Sequence, residues 1–134
     1  MRRAGRALLL AAPLWLLGCG PRVPLRPDGA ALGPTGATCP DGGSTFTYES
    51  FGRAFFATYC QTCHASTVIG TARFGAPSSE TFDDVLSIRA EATMIDELAA
   101  AGPDRVNTDM PRSFPVPNDA ERHALGEWLA CGAP

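Results

Sequence analysis

Phe55-Phe56-Ala57-Thr58-Tyr59-Cys60-Gln61-Thr62-Cys63-His64-Ala65-Ser66, residues 55–66, runs an aromatic stripe into two cysteines separated by two residues, with a histidine directly after the second. Upstream, Phe51, Phe55 and Tyr59 recur at four-residue spacing, and Gly52 and Phe56 share that broad face. This period predicts a helix that enters Cys60, with Thr47 as its cap and Glu49 in its first turn. Downstream, an apolar, glycine-containing loop is expected over 65–77. Thr81-x-x-Asp84 has a capping-box pattern, and Val85, Ile88, Ala92, Ile95 and Ala99 then keep a helical period, as one helix or two. Gly102-Pro103 is expected to end it, with Gly102 at C′. A polar loop over 104–117 follows. Asn118 and Glu121 are expected to cap a last helix with the face Leu125, Trp128 and Leu129. No stretch alternates as a strand does. The expected fold is all-α: a small domain of three to five helices over residues 44–134.

The chemistry of the motif has three readings. A structural zinc site needs four ligands, and no second Cys-x-x-Cys exists. His123, on the last helix, falls opposite its apolar face. A thiol–disulfide site would put the motif at a helix N-terminus after a strand, where the thiol pKa is lowered; here it follows an amphipathic helix. Cys-x-x-Cys-His reads instead as c-type haem attachment. Two thiols a short loop apart can form thioethers to the two vinyl groups on one edge of the macrocycle, and His64 can reach the iron from one face. The chain is therefore expected to bind metal, as the iron of one covalently attached haem c.

Over most of residues 46–134 the chain resembles the class I cytochromes c. Gly52, Phe56 and Cys60 have that family's spacing, and Leu125-Gly126-Glu127-Trp128 supplies its Leu-x-x-aromatic pair. The resemblance implies that Gly52 lets the first helix pack closely on the last. It implies that the Pro77 carbonyl accepts the N–H of His64, fixing its tautomer. It also implies that a loop methionine followed by proline is the second axial ligand. Met110, before Pro111, fits. Met94 lies inside a helical run and reads as core filling. His123 or an open position remain as alternatives to Met110. Phe56, Val68, Ile69, Phe74 and Trp128 are candidates to surround the macrocycle, and Arg73 or Arg112 to meet its propionates.

The other end of the chain concerns address. Arg2, Arg3 and Arg6 precede an eleven-residue apolar run over 7–17, too short to span a bilayer. Leu16-Leu17-Gly18-Cys19 resembles the lipobox of bacterial lipoproteins, which makes 1–18 a signal peptide and Cys19 the lipidated mature N-terminus. Residues 20–43 hold six Gly and five Pro, so 19–43 is expected to be a tether. Its flexible reach would be about 25–30 Å. Gly20 after Cys19 tilts the address to the outer membrane. In that oxidising setting Cys39 and Cys131 are expected to pair.

Removing the three leader arginines from the eleven basic residues leaves eight against fourteen acidic ones, a formal charge of −6, and the chain has no lysine. That balance repels phosphates and argues against nucleic acid. The function expected from the sequence is a membrane-anchored periplasmic electron carrier, not an enzyme, with redox proteins as donor and acceptor. Two alternatives stand beside it. One is a haem-based sensor or catalytic domain with an open iron position. The other is a haem-free structural lipoprotein.

Overall fold

The structure, a computed structural model, describes residues 32–134. The expected signal peptide, Cys19 and the first part of the tether lie outside the described residues. The described part is helical, and its only strand-like pairing is an isolated bridge between Ala101 and Val106.

A π-helical turn, Tyr48–Gly52, leads directly into α1, Arg53–Tyr59. Thr47 caps the turn as expected: its hydroxyl accepts from the Ser50 N–H, and the Ser50 hydroxyl accepts from the Thr47 N–H. The aromatic stripe then packs on itself. Phe55 sits edge-on to both Phe56 and Tyr59, and Phe56 lies 5.6 Å from Phe82 and 6.1 Å from Trp128. Aromatic pairs at such separations add about 0.5–1.5 kcal/mol each beyond the area they bury. Gly52 lies against the Trp128 ring, where a Cβ would come within 2.8 Å of Cζ2. The close approach of the first helical segment to the last therefore depends on a glycine there.

One turn, α2 (Gln61–His64), follows Cys60, and a 3₁₀ turn spans Gly70–Arg73. The next two helices are α3, Val85–Ala90, and α4, Ala92–Ala99. Two details differ from the sequence expectation, and of the one helix or two that it allowed the structure has two. The cap of α3 is Asp84, whose carboxylate accepts from the Leu86 and Ser87 N–H groups, and not Thr81. The run from Val85 to Ala99 breaks at Glu91, whose backbone leaves the helical region. The run also stops at Ala99, because Ala100 turns extended; Gly102 N instead donates to the Arg105 carbonyl. The last helix, α5, is Asp119–Ala130, with the expected Asn118–Glu121 capping box and with Leu125, Trp128 and Leu129 buried. Gly126 on α5 faces the Ala101 carbonyl so closely that a Cβ would sit 2.2 Å from its oxygen.

The fold begins before Ser44. Thr35 is fully buried, and its N–H and hydroxyl both donate to the Asp96 carboxylate, at 2.8 and 2.6 Å. Asn107, also fully buried, donates from Nδ2 to the carbonyls of Gly33 and Asp96. Residues 33–39 are thus built into the domain, and the expected tether ends before Gly33 instead of at Gly43. Composition hid this, because the anchoring groups are one threonine and a backbone carbonyl. The disulfide between Cys39 and Cys131 forms as expected, with Cα atoms 4.7 Å apart.

Candidate functional site

α2 carries the motif, and the segment around 80–82 holds it. The His64 carbonyl accepts from the Phe82 N–H, and Gln61 Nε2 donates to the Phe82 carbonyl. The buried His64 ring stacks on Phe82 at 4.8 Å. Its Nδ1 lies 3.1 Å from the Glu80 carbonyl. A carbonyl can only accept, so Nδ1 is the donor, and in the neutral ring this leaves Nε2 its lone pair. The resemblance had implied the Pro77 carbonyl as this acceptor. Here the Pro77 oxygen is taken by Arg73 Nη2 at 2.6 Å, and Glu80 serves instead.

Met110 is held at both backbone ends. Its N–H donates to the Leu98 carbonyl, and its own carbonyl accepts from Arg122 Nη1, both at 2.9 Å. Arg122 is 3% exposed and gives further bonds to the carbonyls of Ala99 and Asn107. Sequence reasoning missed Arg122. A signal existed, since 122, 125, 126 and 129 lie on one helical face, two of them already assigned to packing.

These segments enclose a cavity of about 400 Å³, within the range of cofactor sites. Cys60, Cys63, His64 and Met110 all line it, together with Phe56, Phe82, Ile95 and Leu98. Phe74 and Phe114 line it while remaining 80% and 90% exposed, which places them at its mouth. The structure thus brings together the four residues the sequence singled out. Of the expected surrounding residues it brings Phe56 and Phe74, but not Val68, Ile69 or Trp128. Ile69 points to solvent, and Trp128 is consumed in the core. Met94 lines the cavity as well as touching the core, so two thioethers face it. His123 is exposed, bonds to the Asp119 carbonyl and lies away from the cavity.

Both candidate propionate partners change standing. Arg73 is buried, and its side chain makes five bonds to carbonyls: Ala65, Val68, Ala76, Pro77 and Glu80. A guanidinium has five N–H donors, so none remains for a propionate. Arg112 is exposed and lines the mouth.

The expectation of metal binding needs correction. Among the described residues, no group of three or more His, Cys, Asp or Glu could hold a metal ion. The side chains do not build a metal site of their own. Thiol chemistry agrees. Burial pushes the Cys60 thiol up to about 12, with Cys63 adding to the rise and Arg122 opposing it. Zinc and disulfide exchange both need a thiolate, and this site disfavours one.

An expected result follows for the chain with free thiols. Folded Cys60 keeps its proton to about pH 12, whereas an unfolded cysteine loses it near 9.0. Unfolding therefore releases a proton between those values, and stability falls as pH rises through that window. Tyr59, raised by its hydrogen bond to Glu121, contributes with the same sign. Urea unfolding from pH 8 to 11 checks this. The decline should be shallower in Cys60→Ser, and an unchanged slope in that variant would refute the assignment.

Among the described residues, no helix is long and apolar enough to cross a membrane. Comparison with family models, curated proteins and solved structures finds no match.

Proposed function

We propose that the cavity takes one covalently attached haem c, and that the protein is a monohaem c-type cytochrome of class I character that carries single electrons. In this reading it is anchored through lipidated Cys19 on the periplasmic side of a bacterial membrane, with the outer membrane favoured, and passes electrons between redox proteins without a substrate of its own. The observation that carries the reading is the joint lining of one largely apolar cavity by Cys60, Cys63, His64 and Met110. Bound there, a haem would supply the one-electron couple of its iron, the metal arriving already held by the macrocycle. That is consistent with a chain that builds no metal site from its own side chains.

The remaining work belongs to the chain. Cys60 and Cys63, both free thiols, are the groups that would form the thioethers. His64 offers Nε2, since Nδ1 is engaged at the Glu80 carbonyl. Phe82 stacks on the ring and limits its rotation. Met110 would offer its thioether as the second protein ligand, from a backbone pinned at both ends. The largely apolar walls would exclude water from a haem held there and lower the local dielectric, which would disfavour the more highly charged oxidised state. Met94 also faces the cavity, but from within α4 beside core Ile95, where its side chain already packs.

Protein made in an exporting host with haem-maturation machinery tests the reading by optical spectroscopy. Sharp reduced bands that survive acid–acetone extraction are expected, together with a weak sulfur-to-iron band in the ferric form. Met110→Ala should abolish that band and let the ferrous form bind carbon monoxide, while Met94→Ala should leave it in place. A colourless protein would overturn the cytochrome reading. Rapid, full carbon monoxide binding by the wild type would point to an open iron position and a sensor or catalytic role.

A further inference from the structure

The Glu80 carbonyl is shared. It accepts from His64 Nδ1 at 3.1 Å and from Arg73 Nη2 at 2.8 Å. The remaining Arg73 N–H groups bond to the carbonyls of Ala65, Val68, Ala76 and Pro77, which fixes the guanidinium inside the loop over 65–80. Arg73 is only 6% exposed, so its charge acts with little screening by solvent. Two donors on one oxygen compete for its lone-pair density, and the charged donor is the stronger. The bond from His64 to Glu80 is therefore weaker than it would be if His64 were the only donor.

We propose that Arg73 is a positioning residue for His64. It holds the Glu80 carbonyl beside the ring and, by donating to the same oxygen, limits how much imidazolate character the ring acquires. This inference rests on the reading of His64 as an iron ligand. A strong acceptor on the second ring nitrogen raises ligand basicity, favours oxidised iron and lowers the potential. A shared acceptor does this less. Arg73 thus keeps the potential high without touching the cofactor. No lysine exists in the chain to do the same, and a flexible ammonium would match five carbonyls poorly.

The test uses the haem-loaded full-length protein and its Arg73→Gln and Arg73→Lys variants. In Arg73→Gln the potential should fall by at least the equivalent of a threefold change in the redox equilibrium, about 28 mV at 59 mV per decade. The His64 Nδ1–H resonance of the ferrous form should move downfield as its bond strengthens. Arg73→Lys, which keeps the charge, should lie between Arg73→Gln and wild type in both readouts. An unchanged or raised potential in Arg73→Gln overturns the proposal. Should that variant fail to fold, the wild type still decides. Arg73 guanidinium protons should exchange slowly with solvent in the ferrous protein, and free exchange would refute the shared carbonyl. Absence of haem from the wild type would count against the cytochrome reading, whereas an unchanged or raised potential, or free guanidinium exchange, in a loaded protein counts against Arg73.

Discussion

Replacing Cys39 and Cys131 together by serine is expected to lower the unfolding free energy by about 4–5 kcal/mol. The bridge spans 92 residues, and the chain-entropy account assigns about that much to closing so long a loop in the unfolded ensemble. Against a typical total of about 5–15 kcal/mol, this removes roughly a quarter or more of the stability. The location adds to the effect. Cys39 ends the segment whose Thr35 is buried against Asp96, and Cys131 closes α5 just after Leu129. Without the bridge, residues 33–39 stay attached through noncovalent contacts, among them those of Thr35, Asp104 and Asn107. Cys39 is exposed, so dithiothreitol should reach it and reproduce the loss in the wild type. Urea unfolding of the double variant, and of wild type with and without reductant, measures the effect. A loss under about 1 kcal/mol in both would mean that the bridge is incidental to a domain already held by its core.

The elements that the sequence made legible are those whose signal is local. Phe51, Phe55 and Tyr59 announce a helix face, and Asn118 with Glu121 announces a helix start, because periodicity and capping act over three or four residues. The motif over 60–64 was legible for the same reason. What remained hidden is held by backbone carbonyls, which leave no mark in a sequence. Glu80 accepts from His64 through its main chain, so its side chain gave no clue. Arg73 was expected to meet a propionate and Arg122 drew no reading from the sequence, yet each is buried against several carbonyls. Arg89 repeats the pattern at the end of the chain, donating to the Gly132 and Ala133 carbonyls. These arginines therefore have structural uses that lysine would fill poorly, since a planar fork matches several acceptors at once. Thr81 lost the cap to Asp84 on equally local grounds. Both residue types cap helices, and only the chain path decides between them.

Arg122→Met is expected to cost about 3–5 kcal/mol and to loosen the Met110 side of the cavity in the same step. Methionine preserves much of the buried volume, so packing is not the main loss. The loss is of donors: Nη1 serves the carbonyls of Ala99, Asn107 and Met110, at 2.6, 2.8 and 2.9 Å. A buried acceptor left without its donor costs about 1–3 kcal/mol, and three that share one donor do not add fully. These three acceptors are backbone carbonyls, so no second side-chain substitution removes them. For a domain of this size the melting temperature should drop by roughly 15–30 °C. The functional consequence distinguishes this loss from general weakening. Met110 would keep its bond to Leu98 but lose the one at its carbonyl. In the loaded protein, well below its melting point, the sulfur-to-iron band should weaken and carbon monoxide should bind to the ferrous form. Arg112→Met, an exposed change at the cavity mouth, should do neither. If Arg122→Met melts early yet keeps the band and excludes carbon monoxide, Arg122 supports the fold alone, and Met110 is positioned by its remaining contacts.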